Sequence, residues 1–384
     1  MRMMTTSITA FALLCGGQWA NAATILPAVG QHAGTAADPW PGSAIQAAIA
    51  SASGGDVVFL QNGIWSISTQ LSTTTGNFTL QGQSTDAKLV FTDGGGLTLG
   101  TQTGNVLINN VTITGLTFDA HQLSSGTAVT INDCFNCSFS GNNVLTGSVY
   151  SQALFFFGGA NVRISGNRIA VQNPSGGGTQ LQINPAGLGV TTAIPMNTGY
   201  DIYTNHVDST GFLIIGMSEI RIHENYFTNT FLEQPAGILF TPPFTGISRN
   251  IVISNNMLDL HNNFGIIAGT PEDDFGGVGQ GTVDGLVISG NVIKATTGII
   301  GVNSYDQSCL NTCTMLSKTY NVSIVHNVIQ SAWGGSQINI AGGVSGVVQN
   351  SIVQGNILTW GGSPNGVITT DSNTTVTNIA SNVP

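Results

Sequence analysis

One segment of this chain, NVRISGNRIAV at 161–171, recurs along its length in altered form. It returns as SEIRIHENYF (218–227), NIVISNNML (250–258), GLVISGNVI (285–293), NVSIVHNVI (321–329) and SIVQGNIL (351–358). In each copy, alternating apolar residues on either side of an asparagine predict two short strands joined by a tight turn. Aligned on the centre of that turn, the series is Gln83, Leu116, Asn142, Asn167, Asn205, Asn225, Asn256, Asn291, Asn327 and Asn356. A repeat core of about 20–25 residues, lengthened by insertions, is the signature of a stacked solenoid. Asparagine tolerates the left-handed backbone of a tight turn, and its amide can bond to the same amide in the next coil.

A third apolar strand follows each pair: TAVTI (127–131), ALFFF (153–157), TQLQI (179–183), GFLII (211–215), GILF (237–240) and FGIIA (264–268), then GIIGV (298–302), SQINI (336–340) and GVIT (366–369). Three short strands per coil, stacked in parallel, predict an all-β right-handed parallel β-helix with inward apolar rows. That interior accounts for 41% hydrophobic residues beside only 7% charged ones. No apolar run reaches the roughly 18 residues a membrane span needs, so none is expected.

An open end of such a helix is an unpaired sheet edge. The segment 43–53 suits the task of covering it. Ser43 is placed to cap a short helix, Ile45, Ala48 and Ile49 share one face, and Gly54-Gly55 stop it. This helix followed by GGDVVFLQNGIW (54–65) resembles the opening of the pectate-lyase-like β-helix superfamily. The resemblance implies architecture. Its members include polysaccharide lyases, glycoside hydrolases, uronate epimerases and non-catalytic surface proteins, so fold alone does not name a function. It also implies that substrate lies along one strand face, between the loops that leave it.

The N-terminus reads as a secretory signal, 1–22: Arg2, the apolar ITAFALL (8–14) and Ala20-Asn21-Ala22 as cleavage site. The expected mature chain, 23–384, is one β-helix domain that is secreted, extracellular or periplasmic. Beyond Arg2 it has seven basic residues against eighteen acidic ones. That balance excludes a nucleic-acid partner, which needs a basic face. Export favours disulfides, expected within Cys134/Cys137 and within Cys309/Cys313. The repeat register sets the two pairs six coils apart, about 29 Å at ~4.8 Å per coil, too far to share a zinc ion.

Insertions at 184–200, 241–249, 270–284 and 303–320 all follow the third-strand series, and loops on a rigid scaffold are where sites are built. The most charged, 269–281, carries Glu272, Asp273 and Asp274; one coil later 302–308 carries Tyr305 and Asp306. Carboxylates from adjacent coils can lie roughly 5–10 Å apart, as acid and base or acid and nucleophile in glycoside hydrolysis. The same oxygens, Glu272, Asp273 and Asp274, suit a Ca²⁺ ion. Glu233 can join from the other rim, and His261 lies near the same face. Asp273-Asp274 with Asp306 loosely resembles the three acids of the polygalacturonase family, whose Gly-His-Gly and Arg-Ile-Lys motifs are absent here. β-Elimination from a uronate needs a base and a cation. Arg249 and Lys318, in or beside the long loops, are its candidates. Arg163, Asp201 and Arg221 recur four before the anchor as an outward ladder, and Asp259 and Lys294 pair three after theirs. His223 falls beside Tyr203. Phe156, Tyr305 and Trp333 are expected to stack on sugar rings, Phe156 because three consecutive phenylalanines cannot all face one side of a strand. The polysaccharide partner is thus cleaved by carboxylates, by a Ca²⁺-assisted lyase mechanism, or only bound. The acidic balance favours hydrolysis.

Overall fold

The computed structural model describes residues 22–101, 107–124, 126–147, 151–171, 181–184, 198–209, 211–229, 236–241, 246–260, 264–269, 281–295, 300–302, 318–331, 336–342, 347–360, 367–370 and 374–383. Among them, every named strand pairing is parallel, and three long sheets form: sheet A with 15 strands, sheet B with 12 and sheet C with 11. The chain visits A, B and C in turn, then steps one strand further along each sheet. That is a parallel β-helix.

The register explains why an apolar chain of low charge folds this way. On sheet A one inward row runs Phe139, Ile164, Ile202, Ile222, Ile253, Ile288, Ile324 and Val353, each opposite the next. All are fully buried. Each such side chain removed from water contributes about 1.5–3 kcal/mol, so the interior row is the main stabilising term.

Between sheets A and B the turn is always tight. The eight anchors Asn142, Asn167, Asn205, Asn225, Asn256, Asn291, Asn327 and Asn356 are all at most 2% exposed. Asn205 shows the pattern. Its Oδ1 accepts from the backbone N–H and the Nδ2 of Asn167, at 3.0 and 2.9 Å. Its Nδ2 donates to Ile164 O and to Asn225 Oδ1, both at 2.9 Å. The same bonds continue to Asn382, a ninth amide that the sequence series does not include. One expected role of these asparagines is corrected. The left-handed residue is not the anchor but the one before it: Gly141, Gly166, Thr204, Glu224, Asn255, Gly290, His326 and Gly355. The anchor's amide, not its backbone freedom, is what the turn requires.

A second asparagine set does occupy the left-handed region. Asn77, Asn110, Asn136, Asn161, Asn250, Asn321 and Asn350 all have φ between 53° and 58°. Their amides link along the outside, for example Asn110 to Asn77 at 2.8 Å and Asn161 to Asn136 at 3.2 Å.

The one helix among the described residues spans Gly42–Ser51 and buries Ile45, Ala48 and Ile49. Pro41 holds the N-cap position and no side chain caps the helix, so Ser43 lies inside it instead of capping it. Gln46 bonds to both backbone groups of Ser72, at 2.9 and 2.8 Å, on the terminal strand of sheet C. A side-chain amide there takes the place of a neighbouring strand. No helix of the described residues is long and apolar enough to cross a membrane.

Candidate functional site

Sheet C is built differently from its neighbours. Its strands include Gly126–Asn132, Ser151–Phe157, Leu181–Asn184, Phe212–Ile215 and Phe264–Ala268. None of its eleven strands carries an Asp, Glu, Lys, Arg or His. Its inward row includes Ile131, Phe156, Ile183, Ile214 and Phe240, buried to 3% exposure or less. The outward row reads Thr98, Thr130, Phe155, Gln182, Leu213, Leu239 and Ile267. Leu213 and Ile267 are buried although they point away from the core, whereas Thr98 and Phe155 are half-exposed. Thr130 and Gln182 are buried as well, at 9% and 5% exposure, so the outward row surfaces only at Thr98, Phe155 and half-exposed Leu239.

The open part is centred on two rings. Phe155 and Phe157 point outward, both half-exposed, with ring centroids 5.8 Å apart. Phe155 stands between Thr130 and Gln182, and Phe157 between Asn132 and Asn184. The two half-exposed rings suit a ligand that offers apolar C–H faces, while the Thr130, Asn132 and Gln182 side chains beside them are buried. Phe156, expected outward, is corrected. Alternation turns it into the core at 1% exposure, where its ring meets Tyr200 edge-on at 6.1 Å.

At the end of Gly126–Asn132 the buried polar groups gather. Asn132 donates Nδ2 to Leu99 O at 3.2 Å, and its Oδ1 has no hydrogen-bond partner among the described residues. Asp133 follows with φ 47° and no exposure. Tyr200 gives its hydroxyl to Gly158 O. Burial, and then the charge of Asp133, push its phenol well above the ordinary value of 10.0. Cys134 and Cys137 form a disulfide beside them.

No protein-family model matches this sequence, and no curated protein sequence does either. Solved structures do match in shape. The catalytic unit of a GH87 α-1,3-glucanase from Streptomyces thermodiastaticus strain HF3-3 aligns with a TM-score of 0.52 and 16% identity, covering 88% of this chain. The chain spans 66% of that glucanase unit. PfbA, a surface adhesin of Streptococcus pneumoniae, aligns with a TM-score of 0.53 and 15% identity, covering 86% of this chain and 88% of its own. The fold is a right-handed parallel β-helix. At such identities the likeness reaches the fold and stops there.

Most of the sequence-predicted site of this β-helix lies outside the described residues: Glu233, His261, Glu272, Asp273, Asp274, Tyr305, Asp306, Trp333, Cys309 and Cys313. Arg249 lies within the strand Ile247–Ser254 of sheet A, where its Nε is 3.8 Å from Asp284 Oδ2 on the next strand. It is a cross-strand ion-pair partner, not a loop residue. Lys318 opens the strand Lys318–Val325 of the same sheet and is exposed.

Sheets A and B hold the other polar clusters. Asp201 stands between Arg163 and Arg221 in register. Its carboxylate instead accepts from His223 Nε2 at 3.0 Å, and His223 Nδ1 lies 3.7 Å from Glu224 Oε1. The His223 ring stacks on Tyr203 with centroids 5.2 Å apart. Lys294 and Asp259 pair at 3.7 Å. On sheet B, Asp119 accepts from His121 and lies 3.4 Å from Lys88 Nζ. Sequence reading missed that pair, since His121 follows two residues after Asp119 beyond the strand end. Sequence position alone misplaces this strand: matching ALFFF (153–157) end to end with TAVTI and TQLQI sets Phe157 opposite Ile131 and Ile183, whereas the register sets Phe156 there.

Proposed function

We propose that this protein acts on a polysaccharide laid along the outer face of sheet C, and that it cleaves glycosidic bonds there by hydrolysis. The carrying observation is the outward Phe155/Phe157 pair, flanked by Thr130, Asn132 and Gln182 on a face that otherwise has no charged strand residue. A sugar polymer meets such a face with its apolar ring faces on the two aromatic rings. The repeat of ~4.8 Å per coil gives a chain lying across it many similar subsites. The likeness of the fold to that of a glucanase catalytic unit supports the reading. The acids proposed for the chemistry are Asp273, Asp274 and Asp306, with Glu233 and His261 as further rim residues; Tyr305 and Trp333 would add stacking. Glu272, Asp273 and Asp274 are the residues that would hold Ca²⁺ if the reaction were a metal-assisted elimination. Export through residues 1–22 is part of the same proposal, and the Cys134–Cys137 disulfide supports it.

A second reading, glycan binding without cleavage, is favoured by one observation: sheet C's strands supply aromatic, amide and hydroxyl groups but no carboxylate.

A screen of the mature protein against a polysaccharide panel tests these readings, following reducing ends and absorbance at about 235 nm with Ca²⁺ and with chelator. New reducing ends without ultraviolet absorbance, lost in Asp273→Asn, Asp274→Asn or Asp306→Asn, are expected. Ultraviolet-absorbing product would replace hydrolysis by elimination. Retention of a polymer with no product would leave binding alone.

A further inference from the structure

The position of every lysine and arginine bears on which polysaccharide this face can take. The chain has eight, and apart from Arg2 all are placed. Lys88, Arg168 and Lys294 stand on strands of sheet B; Arg163, Arg221, Arg249 and Lys318 stand on strands of sheet A. None stands on sheet C or in the connections on either side of it. Four of the seven already lie within 4.0 Å of a carboxylate: Lys88 with Asp119, Arg168 with Asp208, Arg249 with Asp284 and Lys294 with Asp259. The connections flanking sheet C carry acids instead, among them Glu272, Asp273, Asp274 and Asp306, and the whole chain has a formal charge of −10.

A polyuronate carries about one carboxylate per sugar. Brought onto this face, each would lose water without gaining a positive partner, a desolvation that goes unrepaid when the charge is unpaired. The chain's formal net charge of −10 adds a general repulsion, which salt screens over about 8–10 Å. A neutral polymer meets neither obstacle. Its apolar ring faces can cover the half-exposed Phe155 and Phe157.

We infer that the polysaccharide bound on the outer face of sheet C is electrically neutral, a conclusion that rests on the proposed function and narrows it. Cleavage is then hydrolytic, because elimination needs a carboxylate beside the carbon that loses its proton. In hydrolysis the oxygen of water bonds to the anomeric carbon as the glycosidic C–O bond breaks, and a proton passes to the departing oxygen.

Affinity electrophoresis of the full mature protein tests this, in gels containing β-1,3-glucan, xyloglucan, galactomannan, levan, polygalacturonate or alginate. Each gel is run at low and high NaCl, with calcium or with chelator. At least one neutral polymer is expected to retard the protein at least ~10-fold more strongly than either uronate polymer, independently of salt and calcium. The Phe155→Ala/Phe157→Ala variant should lose that retardation. Preferential retardation by polygalacturonate or alginate, with calcium or without, would overturn the inference while leaving action on a polysaccharide standing. Retardation by none of the six would overturn both.

Discussion

The corner between sheets A and B and the outer face of sheet C are written by the same repeat under opposite demands. At the corner, each coil presents the same amide to the next, so Asn167, Asn205 and Asn225 make nearly superimposable bonds at 2.9–3.0 Å. On sheet C the outward residue changes from coil to coil: Thr130, Phe155, Gln182, Leu213. Sheets A and B carry every placed cation, while sheet C carries no charged residue at all. Where identity recurs, the chain is solving a backbone problem. Where it varies on an invariant backbone, it is free to recognise something.

The sharpest way to break this contrast lies within three adjacent residues. Phe156→Ala removes a core ring and should cost about 4 kcal/mol of stability, read as a fall in the denaturant midpoint. Phe155→Ala, one residue earlier and half-exposed, should cost far less. Equal losses would mean that the two faces of Ser151–Phe157 are not distinct. Next in size is Asn225→Ala. It leaves the N–H of Asn205 and the carbonyl of Ile202 buried without their present bonds, at about 3 kcal/mol together. Asn136→Ala, in the exposed set, strains a left-handed residue but buries no orphan, and about 1 kcal/mol is expected. A reversed order of the two asparagines would dissolve the distinction between structural corner and surface row.

The smallest effect concerns Tyr200. Its phenol is raised in the folded chain, so below pH 10 the folded and unfolded forms bind the same proton and stability is unaffected. Above 10 the unfolded chain releases that proton while the folded one keeps it, so stability falls as pH rises. A phenolate titration followed at 295 nm should show one of the six tyrosines silent until the protein unfolds. A Tyr200→Phe variant should remove that alkaline step and cost about 1 kcal/mol through Gly158 O.

Much of the scaffold was legible because its period is physical. The alternation around each turn and the recurring asparagine reflect register and amide pairing, and both can be read from one coil to the next. The site was less legible. Phe156 falls on the other face because a run of three phenylalanines hides its own parity, which only the pairing register with the neighbouring strands reveals. The Arg163–Asp201–Arg221 row was in register as expected, yet Asp201 turned to His223, since side chains choose among partners that spacing makes equally near. Loop acids such as Asp273 and Asp306 have no repeat to fix them, so sequence could place them only by offset from a strand.

The most direct test compares two double variants of matched thermal stability, Phe155→Ala/Phe157→Ala on sheet C and Tyr203→Ala/His223→Ala on sheet A. The measurement is affinity for the polysaccharide that retains the wild type best. A loss of at least ~10-fold confined to the phenylalanine pair is predicted. Loss confined to Tyr203→Ala/His223→Ala would contradict it, and would move the ligand to the charged face of sheet A.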